Sequence, residues 1–149
     1  MKRRILLQGM LAGMLGIQLR AWAALPVIEV YKSASCGCCH LWIVHLRENG
    51  FTVNAHDVSS TAAYREKFGV PQALGSCHTA MVGGYALEGH VPAREIKRLL
   101  AQRPKVKGLA VPAMVQGSPG MEGPRSDPYD VLAFSADGQY TVYQHYDGK

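Results

Sequence analysis

Long apolar runs are missing from this sequence. The most apolar stretch, Ile5 to Leu19, is about 15 residues long and is interrupted by Gln8 and Gln18. A helix needs about 20 such residues to cross a bilayer. Acidic residues are absent before position 24, where Lys2, Arg3, Arg4 and Arg20 all stand. The formal charge of +5 is therefore a property of the N-terminus. From Ala24 onward 12 basic side chains meet 11 acidic ones, a balance of +1. No dense Lys/Arg run with interleaved aromatics occurs, so nothing here argues for nucleic acid as a partner. Cysteine is scarce as well: four in 149 residues, three of them between Cys36 and Cys39. The length suits one domain, and an apolar content of 48% is ordinary for a globular chain.

The N-terminus reads as an export signal. Lys2-Arg3-Arg4 is its charged part, Ile5 to Leu19 its apolar part, and Ala21-Trp22-Ala23 its small-x-small cleavage pattern. We expect residues 1–23 to be a cleavable signal peptide, followed by one domain over 24–149. The adjacent arginines and Arg20 fit a twin-arginine signal as well as the general Sec route. The expected location is periplasmic, with no membrane attachment after cleavage. In such a compartment four cysteines most plainly make two structural disulfides. The spacing argues otherwise, because adjacent cysteines such as Cys38 and Cys39 rarely bridge with good geometry. A domain of 126 residues also builds a core without staples.

Patterning predicts an α/β fold. Val27 to Tyr31 reads as a strand. A helix starts at Cys38 or Cys39 and runs to about Glu48, closed by Asn49-Gly50. Phe51 to Val58 alternates like a second strand. Ser59-Ser60-Thr61 caps a helix over Ala62 to Phe68, and 72–76 is a linker to Cys77. His78 to Val82 and Tyr85 to Val91 are strands joined by the tight turn Gly83-Gly84. Pro92 to Gln102 is a helix with proline at its first position. The string β-α-β-α-β-β-α, with cysteines at the first helix, is the thioredoxin-like pattern. The core covers about 26–102 and an extension about 103–149. The extension opens with an irregular Pro/Gly/Met-bearing segment over 103–128. It ends in a hairpin, 130–134 and 139–143, that extends the sheet or covers the segment.

Thiols at a helix N-terminus sit where free N–H groups and the dipole favour thiolate, which is a nucleophile and a soft-metal ligand. Cys36 and Cys39 have the Cys-x-x-Cys spacing of dithiol exchange. In a thioredoxin-like fold the loop before the third strand faces that turn and normally carries a cis-proline. Cys77 stands there instead. Four converging thiols exceed what exchange needs and suit a metal centre. Met114 and Met121 add thioethers, which together with thiolate select Cu(I); the plainer reading has them packing the loop onto the core. His40 and His78 each follow a cysteine and read equally as ligands or proton carriers. His45 reads as solvated or in the core, and His56, His90 and His145 as ordinary polar residues in or near strands.

Four segments together, Cys36-Gly37-Cys38-Cys39, Ser76-Cys77-His78-Thr79, Gly89-His90-Val91-Pro92 and Gly117-Ser118-Pro119-Gly120-Met121-Glu122, closely resemble the CopG-like family of exported copper-resistance proteins. The resemblance covers nearly the whole mature chain. It implies a thioredoxin-like fold, a multi-copper cluster on the cysteines, and interconversion of Cu(I) and Cu(II) in copper detoxification. Carried to this chain, the cluster ligands are Cys36, Cys38, Cys39 and Cys77, with His40, His78, Met114 and Met121 as further ligands. Copper ions, and other periplasmic copper-handling proteins, are then the partners. Zinc competes on ligand count, since four thiolates close one tetrahedral site. Two other functions compete. One is a thiol–disulfide oxidoreductase acting through Cys36 and Cys39, with Cys38 or Cys77 as resolving thiol. The other is a copper metallochaperone without redox turnover.

Overall fold

The computed structural model describes residues 24–148; the expected signal peptide, residues 1–23, lies outside them. The elements in order are β1 (Ile28–Lys32), α1 (Gly37–Glu48), β2 (Val53–Asp57), α2 (Thr61–Lys67), a 3-10 turn (Gln72–Leu74), β3 (His78–Val82), β4 (Tyr85–Glu88), α3 (Ala93–Gln102), β5 (Gly108–Ala110), β6 (Tyr129–Phe134) and β7 (Tyr140–Tyr146). The strands form one seven-stranded sheet in the order β2-β1-β3-β4-β5-β6-β7. β1 with β2 and β4 with β5 are parallel; the other pairs are antiparallel.

Period-2 alternation along the central strands divides their side chains between two cores. Leu87, Leu109, Val131 and Ala133 join the larger cluster with Trp42, Ile43 and Leu46 of α1 and Ile96 and Leu99 of α3. Their strand neighbours Ala86, Ala110 and Phe134 pack instead with Val70 and Leu74, just past α2. The sheet is thus covered on both faces, α1 and α3 on one and the α2 region on the other. Trp42 is fully buried and donates its indole N–H to the Val91 carbonyl at 2.9 Å, satisfying its one polar atom.

Local chemistry explains the ends. Ser60 caps α2, accepting from the Ala63 amide at 3.4 Å. Gly83 and Gly84 both have positive φ, 54° and 90°, as a two-residue hairpin turn matching sheet twist requires. At α3 a proline cannot cap with its side chain. His45 Nε2 instead accepts from the Ala93 amide at 3.1 Å, taking one of the helix's free donors. His45 is therefore half-buried and ties α1 to α3.

The extension departs most from expectation. The segment 103–128 is not wholly irregular, because β5 lies within it. Gly-Leu-Ala is too short to display a period, and only its pairing with β4 and β6 makes it a strand. Through β5 the hairpin β6–β7 continues the sheet rather than covering the loop. Among the described residues no helix is long and apolar enough to cross a membrane.

Candidate metal centre

The cysteine turn follows the C-terminal end of β1, and Cys77 immediately precedes β3. Those two strands are antiparallel neighbours, with Lys32 opposite His78. The sheet register therefore brings residues about 40 apart in sequence to one place. Cys36 occupies the N-cap position of α1, and Cys38 and Cys39 fall in its first turn.

Cys36 and Cys39 are joined in a disulfide, while Cys38 and Cys77 are free thiols. Cys38 Sγ lies 3.6 Å from Cys36 Sγ and 3.8 Å from Cys77 Sγ. All four sulfurs lie within 4.8 Å of one another. A second group of donors shares Cys77: its sulfur is 3.5 Å from His78 Nδ1 and 3.1 Å from His90 Nε2. Cys77 Sγ is thus common to a four-sulfur group and a sulfur–imidazole group.

His90 is the residue that sequence reasoning missed. Its Nδ1 lies 2.7 Å from the Pro119 carbonyl, which can only accept, so Nδ1 carries the hydrogen. Nε2 is left as an acceptor facing the Cys77 thiol. A legible signal existed. The Gly83-Gly84 turn pairs Thr79 with Glu88, and the same register carried two residues further sets Cys77 opposite His90.

The segment carrying Cys77 is braced from below. Glu88, fully buried, accepts from the Ser76 amide at 2.7 Å, the Thr79 hydroxyl at 2.6 Å and Arg65 Nε at 2.8 Å. Arg65 Nη2 also donates to the Ser76 carbonyl at 2.8 Å. The extension holds the site on two sides. Ala113 donates its amide to the Gly75 carbonyl at 3.1 Å, and the Ser76 hydroxyl donates to the Ala113 carbonyl. On the other side Gly120 lies against α1; a Cβ there would come within 2.8 Å of the Cys38 carbonyl, so only glycine allows this approach.

The methionines occupy these two stretches. Met114 follows Ala113 and is 56% exposed, so it does not fill a gap in the core. Met121 follows Gly120 and is half-buried, its backbone bonded to Ser118 and Gly117. His40 is exposed on α1 and belongs to neither donor group. His78 is fully buried, 4.3 Å between ring centroids from Trp42 and 5.1 Å from His90.

Burial governs the protonation of the metal-free site. It pushes the Cys77 thiol up to about 12, and neighbouring Cys38 adds to the shift. Cys77 does not stand in the first turn of a helix, so desolvation prevails there and the thiol keeps its proton. Burial also lowers His78 to about 3, with His90 contributing, and lowers His90 and His45. His78 Nε2 is buried with no hydrogen-bond partner. An unpaired buried polar atom is rare in a folded protein, and this one lies on the ring whose Nδ1 is 3.5 Å from Cys77 Sγ.

These shifts carry a sign. Unfolded histidine takes up a proton near its ordinary 6.5, whereas folded His78 resists until about 3. Stability is therefore lost as pH falls from about 6.5 toward 3, by about 1.4 kcal/mol per pH unit for such a histidine. Urea unfolding of the metal-free protein is expected to show a lower midpoint at pH 5 than at pH 7. An unchanged midpoint refutes the assignment of neutral, buried histidines.

The family described as a protein of unknown function, DUF411, matches residues 74–121, which span Cys77, His90 and both methionines. No curated protein sequence matches the chain. Two solved structures of copper resistance protein CopG are similar at 45% identity. Form 1 has a TM-score of 0.78 over 83% of this chain and 99% of its own. Form 2 has a TM-score of 0.77 over 81% of this chain and 98% of its own. Similarity at that level over nearly the full length of the relative shows that this chain belongs to the CopG family of copper resistance proteins.

Proposed function

We propose that this protein is an exported, periplasmic copper-resistance protein that binds a copper cluster through Cys36, Cys38, Cys39 and Cys77 and interconverts Cu(I) and Cu(II). The observation that carries this reading is the sharing of Cys77 Sγ between a group of four sulfurs and a pair of imidazoles. Clustered thiolates favour Cu(I), and imidazole also serves Cu(II). One tetrahedral Zn(II) needs only four donors and leaves His78 and His90 unused. The two CopG structures name copper resistance, which supports the same choice. The N-terminal signal pattern supports export. His90 joins the proposed ligand set, because its Nδ1–H bond to Pro119 directs Nε2 at the shared sulfur. Met114 and Met121 are proposed as thioether ligands from the flanking loops, and His40, exposed on α1, as a further imidazole ligand.

The reduced mature domain, titrated anaerobically with Cu(I), is expected to take up several tightly held ions. Uptake of one ion or none, with rapid disulfide exchange on a model substrate, refutes the copper reading. His90→Gln is expected to weaken copper binding by at least about 10-fold, the lower end of what losing even an outer-shell partner costs. Competition with a colorimetric Cu(I) chelator measures it, and an unaltered affinity removes His90 from the site. The Cys36–Cys39 disulfide, with Cys38 3.6 Å from Cys36, favours thiol–disulfide exchange as the second reading.

A further inference from the structure

The two sulfur pairs differ in chemical state although all four sulfurs adjoin. Cys36 and Cys39 are bonded, while Cys38 and Cys77 stay free with their sulfurs 3.8 Å apart. Closing the disulfide does not dismantle the pocket. Two thiols and the imidazoles of His78 and His90 still meet around Cys77. The site thus has a four-thiol form and a two-thiol form, which differ by two electrons.

We propose that the Cys36/Cys39 dithiol is the built-in two-electron reductant for Cu(II), a step that rests on the copper reading above. Each of two Cu(II) ions takes one electron and becomes Cu(I). The Cys36 and Cys39 thiols together lose two electrons and two protons, the S–S bond forms between them, and the protons pass to solvent. Cu(I) so made stays with Cys38, Cys77 and the two imidazoles, donors that remain unoxidised and hold soft copper. Cys39 is fully buried and Cys36 partly exposed, so an external dithiol regenerates the pair by attacking Cys36 Sγ and releasing Cys39. Copper capacity then follows the state of the pair, high with four thiols and lower with two.

The test uses fully reduced mature protein, freed of reductant without air and mixed with two equivalents of Cu(II) sulfate. Cu(I) is read with a chromogenic chelator after denaturation. Remaining thiols are counted, and the bridge is located by peptide mass spectrometry. The expected result is two Cu(I), two thiols lost and a bridge between Cys36 and Cys39. Cys39→Ser is expected to lose the paired yield of Cu(I) and intramolecular disulfide, because Cys36 then has no partner for the bridge. Copper reduction without thiol loss, a bridge through Cys38 or Cys77, or a bridge between molecules overturns the proposal. A parallel Cu(I) titration separates the two failures. Cu(I) uptake with no thiol oxidation by Cu(II) overturns this step alone, whereas absent Cu(I) uptake overturns the copper reading itself.

Discussion

Replacing Cys77 by serine is expected to lower copper affinity by at least about 100-fold, the upper end of what losing even an outer-shell partner costs. The reason is position. Cys77 Sγ is the atom shared by the sulfur group and the imidazole group. Without it the remaining sulfurs lie on one turn, and His78 and His90 lose the thiolate that joins them to it. Serine is close in size, and its hydroxyl can still donate to His90 Nε2, so the fold should be kept. The measurement pairs Cu(I) competition against a chelator with urea unfolding of the metal-free variant. A large loss of affinity at an unchanged midpoint fits the assignment. Unaltered affinity refutes it.

Arg65→Met is expected to destabilise the metal-free fold by about 3–5 kcal/mol, the cost of leaving a buried charge without its partner. Glu88 is 0% exposed and the Arg65 side chain 11%. Burial raises the Glu88 carboxyl above its ordinary range even with Arg65, Thr79 and Ser76 bonded to it. Desolvation thus already outweighs the pairing, and removing the arginine leaves the charge opposed only by the Thr79 and Ser76 hydrogen bonds. The second effect is local. Arg65 and Glu88 together hold the backbone of Ser76, so the Cys77 segment loosens when one is lost. Copper affinity should fall with stability. Urea unfolding measures the loss, and Arg65→Met combined with Glu88→Gln should recover part of it by removing the charge. A loss under about 1 kcal/mol for the single variant contradicts this role of the pair.

Much of the core was legible because its signals are local. Gly83-Gly84 marked its hairpin, the cysteines marked the start of α1, and the Ser59–Thr61 cluster marked the start of α2. β3 follows its predicted bounds, His78–Val82. The extension was harder. β5 has three residues and becomes a strand only between β4 and β6. His90 looked like a polar residue at a strand end, and its role is a matter of register across the hairpin. His45 offered no sign that it would serve as acceptor for another helix's first amide.

The sequence by itself determined the soft chemistry: three cysteines in one turn, a fourth before a strand, and histidines beside two of them. It also determined an α/β string that brings the fourth cysteine to the turn. These follow from residue type and short-range pattern, which act over one or two turns of chain. Only the tertiary structure decided that Cys77 is the hinge between sulfur and imidazole donors. It also decided that the disulfide joins Cys36 to Cys39, and that a buried Arg65–Glu88 pair and Gly120 hold the pocket. The physical reason is that sheet register and burial set distances between residues far apart in sequence, and desolvation, which keeps the Cys77 proton in place, exists only once the chain has closed over it.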